Sequence, residues 1–201
     1  MNNKEKVASY VHGRLEQWRN QQNEHLLRAD LANLRRGTGK KPGDLPELWA
    51  LLFCGFPEEL MSKSGEPTPA EWAVSGALTL YALHSQGEKH GAQAAGQSLG
   101  AAAGILACGS DGKNRDGLKA VQRRFNACAT ARSMPECMHH LRGLIQLLRS
   151  RQIPLDYARL AADLYEFQMP GGGARVRLRW GQDFCRYAFP DKKGKDDNDN
   201  E

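Results

Sequence analysis

Apolar residues recur at steps of three and four along most of this chain, and that spacing predicts helices rather than strands. The clearest run follows Ser133, which with Glu136 forms an S-x-x-E capping box at the start of a helix. The apolar positions of that run are Met138, Leu141, Ile145 and Leu148. They share one side of the helix, so this face is predicted to be buried.

The same spacing, with its start and stop signals, predicts an all-α fold, a compact bundle of about seven to nine helices. The first helices are predicted at residues 4–19, 23–36, 44–54, 68–85 and 115–131, followed by three more between 134 and 188. Thr68-Pro69-Ala70-Glu71 gives the sharpest start, with a cap, a proline at the first position and a glutamate at the third. Asp44 in a D-x-x-E cap and Pro154 in a first turn mark two other predicted starts.

Two stretches invite more specific interpretations. Residues 175–180 alternate in a strand-like pattern, but the longer run Val176, Trp180, Phe184 and Ala188 favours a helix. Gly96, Gly100 and Gly104 recur every four residues, and on a helix they would form a smooth stripe that another backbone can approach closely. In a water-soluble chain we interpret this stripe as tight internal packing.

A chain of 201 residues can bury roughly 70% of its unfolded surface, enough for a real core. We expect one helical domain over residues 1–190, or two packed halves, 1–110 and 111–190, that meet at a turn at 110–114. Residues 191–201 form an acidic tail that we expect to be disordered. Residues 1–190 carry 25 basic and 18 acidic side chains, a net charge of +7, which favours anionic partners.

Basic side chains form rows on four of the predicted helices and on the loop at 37–43. The candidate nucleic-acid contacts are Arg28, Arg35, Arg36, Lys119, Arg123, Arg124, Arg142, Arg149, Arg175 and Arg179. A solvated charged surface is the alternative for any single row. For Arg175 and Arg179 the alternative is a structural salt bridge to an acid such as Asp163 or Asp183. We interpret the loop itself as a flexible basic segment that can meet a nucleic-acid backbone.

Other chemistry is not supported by the sequence. The loop Gly37-Thr38-Gly39-Lys40-Lys41 has Leu34 where a phosphate-binding loop needs its first glycine, and Lys41 replaces the required Ser or Thr. The cluster of Cys137, His139 and His140 lacks further ligands at zinc spacing. No catalytic constellation stands out, so we expect no enzyme, no cofactor and no metal. Five scattered cysteines and the lack of a signal-peptide or membrane-spanning stretch predict a reduced, cytoplasmic protein.

Long ordered stretches of the sequence resemble the CasB family, the small subunit of the type I-E CRISPR Cascade complex. The resemblance is carried by HHLRGLIQLLRS and then by IPLDYARLAADLYEFQMPGGGARVRLRWGQDFCRYAF, with weaker similarity at LLRADLANLRRGTGKKPG and AVQRRFNACATA. Residue by residue, the resemblance carries over to Arg35 and Arg36 in LRRG, Arg123 and Arg124 in QRRF, and Arg142 in HLRGL. Arg175, Arg177 and Arg179 resemble the family's C-terminal arginines. The similarity covers most of residues 24–189 and is weakest over 56–112.

The resemblance implies an all-helical, non-catalytic protein that docks in pairs within an RNA-guided surveillance complex. Its implied partners are the other Cascade subunits, a second copy of itself, the crRNA and the target DNA. There it would brace the guide RNA–target DNA hybrid and hold the displaced strand. The protein would contact the nucleic-acid backbone, while base pairing between guide and target recognises the sequence. The alternative from the residues alone is a freestanding basic helical regulator or scaffold that binds an acidic protein. Because the aromatic residues are few and placed on apolar seams, base stacking on exposed rings is not expected.

Overall fold

The structure is a computed structural model that describes residues 1–87, 91–109 and 115–189, with side chains of the last range described from 118 onward. These ranges hold nine α-helices and no strand, which confirms the predicted all-α bundle. The helices are α1 (Asn3–Arg19), α2 (Glu24–Arg36), α3 (Trp49–Phe53), α4 (Pro69–His84), α5 (Leu99–Cys108), α6 (Arg115–Thr130), α7 (Met134–Ser150), α8 (Tyr157–Phe167) and α9 (Gly172–Ala188). Two short 3₁₀ helices, Pro46–Leu48 and Glu58–Leu60, lie between α2 and α4.

Helix α4 forms the centre of the molecule, and α1, α2, α7 and α8 all pack against it. Its start is the one predicted: the Thr68 side chain accepts from the Glu71 amide while the Glu71 side chain accepts from the Thr68 amide. Twelve of its sixteen residues are buried, because apolar or small side chains occupy every side of the helix. The surrounding helices are amphipathic, and their apolar faces meet α4.

Helices α5 and α9 pack unusually closely, and two glycines make this possible. A Cβ atom at Gly100 would lie 2.2 Å from the carbonyl oxygen of Trp180, and one at Gly104 would lie 2.7 Å from that of Phe184. The predicted interpretation, tight internal packing, is therefore confirmed for these two residues. It was wrong for Gly96, which lies before the helix in a turn with φ +82°. The glycine stripe is shorter than predicted because α5 begins only after its N-cap, Ser98, which leaves Gly96 outside the helix.

The C-terminal segment is a helix along its whole length, so the strand alternative for residues 175–180 is wrong. Val176, Trp180, Phe184 and Ala188 are buried on one face of α9, as their spacing predicted. The helix begins earlier than expected, at Gly172. A Cβ at Gly172 would meet the backbone of Glu166, so a glycine at this position allows α9 to turn back sharply against the end of α8.

Three predicted helix starts differ in detail. Asp44 caps no helix: Leu45 precedes the 3₁₀ turn and no side chain caps it. Pro154 lies outside α8, because Leu155 hydrogen-bonds to the backbone of Ala92 and keeps the chain extended until Asp156 caps the helix. Ser133 does cap α7, but the Glu136 carboxylate accepts from the Arg132 amide rather than completing the box on Ser133.

One continuous hydrophobic core contains buried residues from α1 to α9. It includes Val7 and Val11 near the N-terminus and Phe184 and Ala188 near the end of α9. The predicted turn at 110–114 and the acidic tail at 191–201 lie outside the described residues. Within the described part of the chain, no helix is both long and apolar enough to cross a bilayer.

Candidate nucleic-acid interface

Two of the candidate arginines, from different helices, meet at the C-terminal end of α4. An Nη1 atom of Arg35 in α2 lies 3.4 Å from the carbonyl oxygen of Ala82, and that of Arg149 in α7 lies 3.5 Å from that of Leu83. Arg149 also donates to Oε1 of Gln86 at 2.7 Å. The last carbonyls of a helix are unpaired and carry partial negative charge, which favours cations there. Arg35 and Arg149 are both partly exposed.

A cleft of about 220 Å³ lies between the loop after α2 and the N-terminal half of α7. Its lining residues are Thr38, Gly39, Lys40, Pro135, Met138, His139 and Arg142. Lys40 and Arg142 bring two positive charges to this cleft, and no carboxylate is among its lining residues. Arg142 and Arg149 are seven residues apart on α7 and so lie on the same side, two turns apart. Together with Arg35 and Lys40 they form what we call the α2–α7 basic face.

The loop that carries Lys40 is anchored, so its interpretation as a flexible segment is not supported. The Thr38 side chain is buried, and its hydroxyl donates to the carbonyl oxygen of Thr79 in α4 at 3.4 Å. Gly37 packs so closely that a Cβ there would lie 2.5 Å from Cδ1 of Leu48. Gly39 then takes φ +79°, a left-handed turn that glycine adopts without strain. These anchors hold the loop against α4 and the 3₁₀ turn, and Lys40 lines the cleft together with residues of α7.

The remaining candidates on α2 and α6 are exposed. Arg28 pairs with Glu24 at 2.9 Å, and Arg36 approaches Glu47 at 3.5 Å. Lys119, Arg123 and Arg124 are exposed on α6, whereas Val121 and Phe125 are buried. No ion pair joins these three α6 side chains to a carboxylate of the described residues. No α6 residue is among those that line the cleft of Lys40 and Arg142.

Arg175 and Arg179 belong to a separate ion-pair network, the structural alternative considered for them. Arg179 donates to Asp163 at 2.8 Å and to Glu166 at 2.9 Å, and Arg175 donates to Glu166 at 2.8 Å. Asp163 also accepts from the indole nitrogen of Trp180 at 2.7 Å. This network connects α8 to α9, and its buried acids hold the two arginines away from the basic face.

Glu166 is the centre of that network, and Lys4 of α1 also donates to it at 2.5 Å. Burial alone would raise the pKa of Glu166, but hydrogen bonds from Arg179, Lys4 and Arg175 outweigh it and lower the pKa to about 2. The carboxylate is therefore ionised at every ordinary pH. An open cleft of about 620 Å³ beside it is lined by both signs of charge, including Lys4, Glu166 and Arg175.

Of the residues that line the cleft, only Arg142 was a candidate; Lys40 and His139 were among those that sequence reasoning missed. Lys40 belonged to a loop recognised as basic, but its position against α7 depends on a tertiary contact. His139 is exposed on α7 while Cys137 is buried. These two members of the Cys137, His139 and His140 cluster therefore lie on different sides of the helix. The arginine spacing on α7 was the available signal, since Arg142 and Arg149 mark the side on which the cleft opens.

These features describe an all-helical protein in which Lys40 and Arg142 line one cleft. The family model of the CRISPR-associated protein Cse2 matches residues 30–184. The crystal structure of CasB from Thermobifida fusca is similar with a TM-score of 0.70 and 33% sequence identity, over 89% of this chain and 97% of that chain. No curated protein matches the chain. The chain therefore belongs to the CasB (Cse2) family of type I-E Cascade small subunits, which confirms the resemblance seen in its sequence.

Proposed function

We propose that this Cascade small subunit binds the backbone of single-stranded nucleic acid through the α2–α7 basic face, and that it performs no catalysis. The observation that carries the proposal is the cleft in which Lys40 and Arg142 meet without a carboxylate among the lining residues. Two cations in such a cleft attract a phosphate, since no acid is among the residues that line it. Arg35 and Arg149 extend the positive charge along the same side of α4 and α7.

Such contacts give affinity without reading sequence, because phosphates are the same at every base. That property suits a complex in which a guide RNA reads the target by base pairing. We propose that the bound strand is the displaced DNA strand or the backbone of the guide–target hybrid. The other Cascade subunits and a second copy of this chain would complete the surface, and Lys119, Arg123 and Arg124 on α6 are candidates for further contacts there.

The test replaces Lys40 and Arg142 together with alanine and measures binding of the full chain to a single-stranded oligonucleotide over a range of salt concentrations. Each lost phosphate contact should reduce the slope of log K against log salt by about 0.7, so the double variant should lose about 1.4. Affinity should fall while the free energy of unfolding changes by no more than about 0.5 kcal/mol per substitution, because both side chains are exposed.

Lys6→Ala is the control; it removes one positive charge and is compared with each of the single variants Lys40→Ala and Arg142→Ala. Lys6 lies near the start of α1 and pairs at 2.8 Å with Glu59, which precedes the N-terminus of α4. Arg35 and Arg149 instead contact the C-terminal end of α4. Removal of Lys6 should leave the salt slope unchanged. An equal loss of slope in Lys6→Ala and in either single variant would show diffuse attraction rather than a site. Sharp sequence dependence, or no binding at low salt, would instead favour an acidic protein as the partner.

A further inference from the structure

An exposed tryptophan lies beside the α2–α7 basic face. Trp49, the first residue of α3, is 52% exposed, whereas Trp18 is 4% exposed and Trp180 is fully buried. Trp72 is partly buried against the core. The expectation that no exposed ring is available for base stacking is therefore wrong for Trp49. In this stretch Leu48 and Leu52 are buried, whereas Trp49 is exposed.

Three contacts fix the position of this ring relative to Lys40. The indole nitrogen of Trp49 donates to the carbonyl oxygen of Gly43 at 3.0 Å, so the ring rests against the loop that carries Lys40. Leu48 packs against Gly37, and Glu47 approaches Arg36 at 3.5 Å, which together hold the 3₁₀ turn against the end of α2. An aromatic ring held in one orientation binds a second ring at little cost in conformational entropy.

Charge alone would not hold a nucleotide at this place. Glu47 approaches Arg36, and Lys41 pairs with Glu66 at 2.7 Å, so these cations are largely balanced. Asp44 is exposed next to Gly43 and adds a negative charge. Lys40 and the cleft it shares with Arg142 can hold phosphate, but next to Trp49 the local charge is close to neutral. A flat apolar face beside a phosphate-binding cleft is the arrangement that takes a base rather than a backbone.

We propose that Trp49 is a stacking platform for one nucleobase of a single strand whose phosphates lie along Lys40 and Arg142. The inference rests on the proposed function, because it needs that backbone path. It adds a base-contacting residue to the interface and restricts the ligand: the strand bound here must have unpaired bases, as a displaced strand does and a duplex does not. Because every base has an aromatic face, the contact would be tolerant of sequence.

The experiment compares two ligands of equal length, an oligothymidylate and an abasic deoxyribose-phosphate oligomer, each titrated into the full chain. Trp49→Ala should weaken binding of oligothymidylate by roughly 5- to 150-fold, the loss of one base stack, and leave the abasic oligomer unaffected. Trp49→Phe should retain part of the affinity because it keeps a ring. Intrinsic tryptophan fluorescence of the wild-type chain should be quenched by oligothymidylate, and the quenching should be lost in Trp49→Phe.

The outcomes separate this inference from the function beneath it. If Trp49→Ala weakens both ligands equally, or neither, the stacking platform is wrong while backbone binding stands. If the wild-type chain binds neither ligand, the proposed function fails as well. If Trp49→Ala leaves DNA binding unchanged but reduces incorporation into the assembled Cascade complex, the ring is covered by a neighbouring subunit, which also overturns the proposal.

Discussion

His84 illustrates how much a single side chain depends on its surroundings. It is 1% exposed at the end of α4, and its Nδ1 lies 2.8 Å from the hydroxyl of Tyr157. Burial, with a smaller contribution from the positive charge of Arg149, lowers the pKa of His84 from 6.5 to about 4. Between pH 4 and pH 6.5 the imidazole of His84 is therefore mostly protonated in the unfolded chain and mostly neutral in the folded chain. Stability should be complete above pH 6.5 and fall as the pH drops, by about 2 kcal/mol at pH 5.

Urea unfolding at pH 7 and pH 5 measures this loss, and His84→Gln is the control because glutamine does not titrate. The variant can be less stable than the wild type at pH 7, but its stability should change less between the two pH values. An equal decrease in both proteins would show that other groups cause the acid sensitivity. Glu166 contributes little to this comparison, because its pH-dependent contribution lies mainly between its unfolded pKa of 4.5 and its folded pKa of about 2, below pH 5.

The sequence could not assign such roles to individual residues. Arg142 and Arg179 both lie on polar stripes of amphipathic helices, yet one opens onto a cleft and the other pairs with Asp163 and Glu166. Asp163 was a recognisable partner because it lies one helix away from the arginines. Glu166 was not recognised, since its burial results from three cations that converge from α1 and α9.

At the scale of the elements, the contact between α5 and α9 is the most demanding. Gly100→Ala would bring its Cβ 2.2 Å from a backbone oxygen of α9, and a backbone cannot move aside as a flexible side chain does. We expect a destabilisation of about 1–3 kcal/mol, the usual cost of overpacking, despite the better helix propensity of alanine. Thermal or urea unfolding measures the change. Gly104→Ala should behave in the same way for the same reason.

Gly181→Ala is the matched control on the opposite helix. Nothing lies within 4 Å of the position its Cβ would occupy, so this substitution should stabilise the protein by about 0.5–1 kcal/mol through helix propensity alone. If Gly100→Ala is as stable as Gly181→Ala, the close approach of the two helices is incorrect. The pair of variants separates packing from propensity because both exchange a helical glycine for alanine.

Helix existence and the buried face of each helix could be predicted because both follow from spacing along the chain. The seams of α7 and α9 are buried as expected. The predicted helix starts at Asp44 and Pro154 were less accurate, because Asp44 lies in a turn and Pro154 in an extended segment. The partner of the glycine stripe could not be identified, since it depends on how α9 returns to α5 after the glycine turn at 171–173.

At the scale of the whole molecule, the two parts of the chain on either side of residues 110–114 share their core. Helix α1 packs against α8, α4 against α7 and α8, and α5 against α9. The Lys4–Glu166 ion pair adds a polar connection between the N-terminal helix and α8. Separating the parts would expose apolar faces on both, so neither has a complete core of its own. This arrangement favours one domain over two weakly coupled halves.

We therefore expect urea unfolding in a single cooperative transition, with far-UV circular dichroism and tryptophan fluorescence changing at the same midpoint. The tryptophans report on both parts, since Trp18 and Trp72 precede residue 110 and Trp180 follows it. Comparing the wild type with Trp180→Phe isolates the signal of the second part. A fragment of residues 1–109 should stay largely unfolded, because α4 and α5 would lose the helices that cover them. Two separated transitions, or a folded fragment, would show that the halves are independent.

The α2–α7 basic face would then combine residues from two units, and its geometry would depend on their docking rather than on one rigid core.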